Sequence, residues 1–272
     1  MDTGTGILDG RKGLVLGVAN RRSLAWGVAK SLRGAGADLA LTCEGPRLRE
    51  KLEGLVGEWD PQPAIFECDV TDEEQVESMF SELESMWGEL DFLVHSLAYA
   101  PRAALDGSFT EIAAEDWSRA MEVSAHSLVK LSGRAADMLE RGGREETDDA
   151  TGSGGSVVAL SYLGSERVMP GYGLMGPCKA ALESAVRYLA HDLGPRGIRV
   201  NVASPGPIKT LAASAVGDFS MVRDHHADKA FTKRSVTKEE VGDVVLFLCS
   251  DLSRAITGVT LHADHGYFAS GV

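Results

Sequence analysis

Short apolar runs alternate along the chain with longer stretches whose apolar residues recur every three or four positions. GLVLGVA at 13–19 has the run length of a buried strand, and the stretch 23–36 that follows repeats Leu24, Val28 and Leu32 on one helical face. The alternation continues with strands expected at 38–43, 64–70 and 91–98, separated by amphipathic helices at 46–59 and 73–88. A long helical stretch at about 115–141 precedes a strand at 155–162. A helix at 176–194, a strand at 198–206, a helix at about 238–251 and a last strand at 258–264 complete the pattern. Strands that are apolar throughout, rather than at alternate positions, are buried on both faces. Together with the strand–helix order, they predict an α/β chain: a doubly wound, seven-stranded parallel sheet with helices on both faces.

Two segments interrupt the rhythm. GGREETDDATGSGG, within 142–155, is acidic and rich in Gly and Ser, which predicts an exposed loop. The stretch 207–235 has weak periodicity and suits a substrate-binding lid. No linker divides the chain, so 1–272 is expected to form one domain of Rossmann type.

Composition narrows the function. The chain has 272 residues, 44% of them hydrophobic and 25% charged, and its formal net charge of −13 argues against nucleic acid or an anionic membrane as partner. No apolar run approaches the ~20 residues that span a bilayer, and the first residues lack a basic segment followed by an apolar one. Cys43, Cys68, Cys178 and Cys249 are scattered, without metal-ligand spacing. These features predict a cytoplasmic protein with reduced thiols and no bound metal.

Ligands of doubly wound sheets sit beyond the carboxyl ends of the strands, so the residues there are the candidates for chemistry. GVANRRSLAWG, from Gly17 to Gly27, follows the first strand. It lacks the usual GxGxxG pattern, yet Gly17 can supply the tight turn, and a helix starting near Ser23 offers free N–H groups to a pyrophosphate. Ser23 equally suits a helix N-cap. Glu44, after the second strand, is placed to accept from adenosine ribose hydroxyls and to repel a 2′-phosphate, favouring NAD; Arg47 and Arg49 nearby leave NADP open. Asp69, in CDVTD, is placed either to bond the adenine amino group or to fill a turn.

After the fifth strand, Tyr172 and Lys179 are seven residues apart, nearly two helical turns. Pro177 is comfortable only in a first helical turn, so Tyr172 is expected at or just before the helix start. A lysine held there is expected to favour the phenolate and to donate to ribose hydroxyls. In this order and at these separations, GVANRRSLAWG, CDVTD, VHSLAYAP, LSYLGSERVMPGYGLMGPCKAALE and NVASPGPIKTLAAS resemble the bacterial enoyl-acyl carrier protein reductases, over about 13–266. The most specific element is a tyrosine and a lysine separated by six residues, with Tyr162 ten residues before Tyr172. Other short-chain dehydrogenases space this pair by three, a position held here by Met175.

The resemblance implies NADH as cofactor and an enoyl-acyl carrier protein thioester as substrate, reduced at its trans-2 double bond. It gives Tyr162, Tyr172 and Lys179 as the catalytic group, with Lys179 holding the nicotinamide ribose. It places Ser23, Leu24, Asp69, Val70, Leu97, Ile208, Lys209, Thr210, Leu211 and Ala212 on the cofactor and Ala100 on the substrate, and implies a homotetramer. Pro177, Cys178, Pro205 and His265 depart from the family pattern, as does the inserted 142–155 loop. An acidic carrier protein needs a local basic patch, for which Arg102, Lys209, Arg223, Lys229, Lys233 and Arg234 are the candidates. A coenzyme A thioester, another reduction on the same fold such as that of a 3-ketoacyl thioester, and a non-enzymatic NAD sensor are the alternatives.

Overall fold

Successive strand residues point to opposite faces, and in β1 (Lys12–Leu16) every residue after Lys12 is buried. Leu14 and Leu16 join one apolar core and Val15 another, so both faces of the strand are covered. The same holds for every other strand except the edge strand β7, which is partly buried, in a sheet that runs β3 (Ala64–Glu67), β2 (Asp38–Cys43), β1, β4 (Phe92–His95), β5 (Ser156–Leu160), β6 (Arg199–Pro205), β7 (Thr260–Ala263). All six neighbouring pairs are parallel. The computed structural model describes residues 6–143, 154–208 and 219–271.

One core holds α3 (Glu73–Trp87), α6 (Ser127–Arg141) and α7 (Met175–Leu193) against the sheet. On the other face lie α1 (Leu24–Gly34), α2 (Pro46–Val56) and α9 (Lys238–Cys249). The seven-stranded, doubly wound parallel sheet expected of the pattern is thus observed. Local signals start the helices where they lie. Ser23 caps α1, Asp72 accepts from the Glu74 and Gln75 amides at the start of α3, and Thr237 forms a capping box with Glu240 at the start of α9.

The strand order reverses between β1 and β4, which opens a crevice at their carboxyl ends. Three departures from the expected pattern build this crevice. Strands β1, β3, β4 and β5 end two to three residues early, because the residues after them turn outward as loops. The helix expected over 115–141 is divided: α5 (Ala114–Met121) leads through a π-helical turn at Glu122–His126 into α6. That turn brings Ser124 to the loop after β4, where its hydroxyl accepts from the Tyr99 amide at 2.9 Å and donates to the Tyr99 carbonyl at 3.0 Å. The short α4 (Ala103–Asp106) and α8 (Phe219–Lys229) are added, the latter inside the expected lid. The insertion at 142–155 lies mostly outside the described residues.

Candidate active site

The crevice is a cleft of about 800 Å³, walled by the ends of β1 to β6 and by α5, α7 and α8. At its base, Gly17 has φ +84 and lies so close to β4 that a Cβ would meet the Ser96 carbonyl at 2.4 Å. Only glycine fits this turn, and it leaves the first turn of α1 open to the cleft through Ser23 and Leu24. Ser23 Oγ accepts from the Trp26 amide at 3.3 Å and donates to the Asn20 carbonyl at 2.7 Å, so its side chain serves as the N-cap.

Glu44 lines the cleft beyond β2, whereas Arg47 and Arg49 do not. Arg49 is held by Glu53 at 2.9 Å and Glu67 at 3.8 Å. Asp69 and Val70 line the cleft after β3. Burial alone would raise the Asp69 carboxyl, but Thr71, donating through its hydroxyl and amide, and Arg119 at 3.6 Å hold it below its ordinary value. Arg119, which also faces the cleft from α5, carries no signal in its local sequence.

Leu97 and Ala100 line the far side of the β4 loop, and Ile208 lies opposite, after β6. Lys209, Thr210, Leu211 and Ala212 fall outside the described residues. All the other residues named from the sequence as binding or catalytic stand around this one cleft.

Tyr172 sits three residues before α7, as Pro177 in its first turn requires. Its ring packs edge-on against Tyr162, with centroids 4.9 Å apart and planes at 65°. A Cβ on Gly164 would come within 2.3 Å of the Tyr172 ring, so the glycine makes room for it. Burial and the neighbouring Tyr162, Cys178 and Glu183 all push the Tyr172 phenol far above its ordinary value. Burial, with Tyr267, pushes Tyr162 up to about 12.

Lys179 is held by the backbone at the ends of two strands. Its ammonium donates to the Leu160 carbonyl at 2.7 Å and the Leu97 carbonyl at 3.4 Å. The lysine is turned to the ends of β5 and β4, and burial favours the protonated form of Tyr172. Burial lowers the ammonium to about 8, against the opposing pull of Cys178 and Glu183. Two of its three N–H donors are used, which leaves one for the cleft.

Two polar side chains here were not singled out from the sequence. Glu183, one turn after Lys179, is buried and accepts from the Ser161 hydroxyl, and Ser161 itself lines the cleft. The spacing of four to Lys179 was the available signal. Met175, standing where a three-residue spacing would place the tyrosine, is buried with Cys178 among Ala104, Ala120 and Leu174, and it too faces the cleft. Together with Leu105, Val123, Met169 and Pro170 it makes one end of the cleft apolar.

The cleft thus has a phosphate-ready helix start, an acidic rim, and a tyrosine and lysine before an apolar end. A family model described as enoyl-(acyl carrier protein) reductase matches residues 17–268. The chain belongs to this family. The reductase is 44% identical over 272 residues to enoyl-(acyl-carrier-protein) reductase (NADH) 1 of Rhizobium meliloti, covering all of its own length and 95% of that protein. It superposes on the crystal structure of the NADH enzyme of Aquifex aeolicus with a TM-score of 0.90 at 40% identity, covering 98% of this chain and all of that one. The enzyme of Anaplasma phagocytophilum, solved in complex with NAD, gives a TM-score of 0.90 at 37% identity, covering 98% and 97% of the two chains. Among the described residues of the reductase, no helix is long and apolar enough to cross a membrane, and no cluster of three metal-ligating side chains occurs.

Proposed function

We infer that the chain reduces the trans-2 double bond of enoyl-acyl carrier protein thioesters with NADH. The observation that carries this reading is the convergence of Tyr172 and Lys179 on one cleft with the Gly17 turn and Glu44 at its other end.

The residues present suit a dinucleotide. The Gly17 turn is one that a Cβ would fill, the start of α1 offers free amides to a pyrophosphate, and Glu44 suits ribose hydroxyls. Ser23, Leu24, Asp69, Val70, Leu97, Ile208 and the 209–212 run would hold the cofactor, with the third Lys179 donor on the nicotinamide ribose. When bound, NADH supplies the hydride that reaches the β-carbon of the enoyl thioester.

Tyr172, a neutral phenol, donates to the thioester carbonyl and stabilises the negative charge that develops on its oxygen. Its raised pKa keeps the proton on the phenol while the oxygen gains charge. Tyr162 braces the Tyr172 ring and closes the substrate side, with Ala100 and the apolar end taking the acyl chain. The resulting enolate takes a proton from solvent water at its α-carbon, so that hydride and proton together saturate the double bond.

The acyl carrier protein would approach beside Arg102, Lys209, Arg223, Lys229, Lys233 and Arg234. Arg102, Arg223 and Arg234 each already pair with a carboxylate, Asp106, Asp224 and Glu240 respectively. Such exposed pairs are weak and exchange partners readily. The assembly we propose is a homotetramer. The apolar stripe of α7 is buried on its own sheet, but Tyr188 on α7 is 75% exposed, and Val129 on α6 and Trp117 on α5 are exposed as well. Light scattering tests this directly; a monomer overturns it.

The test of the activity is loss of NADH on adding a trans-2-enoyl thioester, as carrier-protein and as coenzyme A forms, beside a 3-ketoacyl thioester. Turnover of the enoyl form, faster on the carrier protein, supports the reading. Turnover of the ketoacyl form alone overturns it.

A further inference from the structure

Beside the cleft lies a second, small cavity of about 10 Å³, lined by Tyr162, Ser204, Gly206, His226, Asp264 and Tyr267. It has the room of one water. Tyr162, Pro205 and Gly206 line both spaces. No role described so far uses the chamber.

His226, on α8, is 2% exposed, and neither of its ring nitrogens has a hydrogen-bond partner among the described residues. Such a group is costly to bury unless water serves it. Its position is closely set. The imidazole stacks on Tyr267 with centroids 4.4 Å apart and planes at 31°. On the other side it presses on Gly206, where a Cβ would come within 2.6 Å of Nε2. Asp264 cannot swing to meet it freely, because its carboxylate already accepts from the Gly266 amide at 3.0 Å and the Phe268 amide at 2.7 Å. The turn is fixed further by His265, which adopts φ +58 where a glycine is more usual.

We propose that His226 is a positioning residue for Tyr162, acting through one water that the chamber holds between the imidazole and the Tyr162 wall. The proposal rests on the role of Tyr162 given above. A neutral imidazole offers one donor and one acceptor, so it can orient such a water and, through it, the Tyr162 ring. Tyr162 in turn braces Tyr172. This connects α8, which also lines the cleft through Val222, with the pair that acts on the thioester.

The charged and titratable groups around His226 set its pH dependence. Burial holds its pKa below the ordinary value; Asp264, after β7, pulls it up, and His265 in the same turn and His225 on α8 push it down. Glu240 of α9 faces His265 at 3.4 Å, while Tyr162 and Tyr267 meet the chamber as phenols and Val236 as an apolar side chain. The imidazole is therefore neutral at neutral pH, and the arrangement is lost as pH falls through its depressed pKa.

Two variants and a crystal structure test this. His226→Phe keeps the stack on Tyr267 and removes both polar atoms; His226→Gln keeps a donor and an acceptor. The crystal structure of the unsubstituted protein is expected to show one ordered water bonded to a His226 ring nitrogen, and that of H226F a turned Tyr162 ring. For enoyl turnover, H226F is expected to lose roughly fivefold in kcat, the scale of one net hydrogen bond. H226Q recovers most of it, and neither changes NADH affinity. A fall of kcat/KM on the acid side is expected in the unsubstituted enzyme and in neither variant. A chamber water that does not touch His226, an unmoved Tyr162 in H226F, or equal losses in H226F and H226Q overturn the proposal. The crystallographic readings need no turnover, so they stand apart from a failure of the enoyl reductase activity itself.

Discussion

The Lys179 ammonium lies 2.7 Å from the Leu160 carbonyl, at the tip of β5, while burial raises the phenol of Tyr172 on the same cleft. The lysine ties the ends of β5 and β4 together, and burial holds the tyrosine toward its protonated form. Each has its own consequence.

Replacing Tyr172 by Phe removes the donor to the thioester oxygen. The expected loss in kcat is about 10²–10³, the cost of one such donor. NADH affinity, read by fluorescence titration, is expected to stay within about twofold. Tyr162→Phe keeps the ring that braces Tyr172 and is expected to cost less.

Replacing Lys179 by Met tests the buried charge. Its pKa is lowered from 10.5 to about 8 in the folded chain, so the unfolded chain binds more protons between those values. The contribution of Lys179 to stability therefore rises with pH from about 8 to 10.5 and is lost as pH falls through about 8. Denaturant unfolding at both ends of that window is expected to shift the difference between the two proteins by on the order of a few kcal/mol, in favour of the unsubstituted one at high pH. An invariant difference would mean that the ammonium is better solvated than its surroundings suggest.

At the acidic rim, Glu44→Gln removes the charge that faces a 2′-phosphate. The ratio of kcat/KM for NADPH over NADH is expected to rise roughly tenfold, about 1.4 kcal/mol. Since Arg49 is engaged by Glu53 and Glu67, Arg49→Ala is expected to leave that ratio unchanged.

Gly17→Ala and Gly54→Ala make an opposed pair. At Gly17 the new Cβ meets the Ser96 carbonyl at 2.4 Å with φ +84, so the variant is expected to lose stability by more than about 1 kcal/mol and to bind NADH poorly. Gly54 is an exposed position of α2 with nothing within 4 Å of an added Cβ. Alanine there is expected to stabilise by about 0.5–1 kcal/mol and to leave NADH binding alone.

Strand and helix positions were readable in the sequence because the sheet is apolar on both faces, as Leu14, Val15 and Leu16 show on adjacent positions. Strand ends were not, since the residues after them remain apolar while turning into the cleft; Val70 and Leu97 do so. The break between α5 and α6 was hidden for a related reason. Ser124 bonds Tyr99 from 25 residues away, and nothing local marks that contact. Tyr172 and Lys179 were legible through spacing, and Pro177 placed the helix start correctly. The direction of the lysine was not, because two backbone carbonyls from different strands decide it. Arg119 and His226 reach their sites from helices distant in sequence, which spacing along the chain does not register.

The central claim is that the cleft delivers a hydride to the β-carbon of an enoyl thioester, and isotope placement tests it most directly. The reductase is given NADH carrying deuterium at the transferable position together with a trans-2-enoyl carrier-protein thioester, and the product is analysed by mass and NMR spectroscopy. A saturated thioester labelled at the β-carbon is the predicted result. An unlabelled, unreduced enoyl thioester recovered from enzyme shown to bind NADH would contradict it.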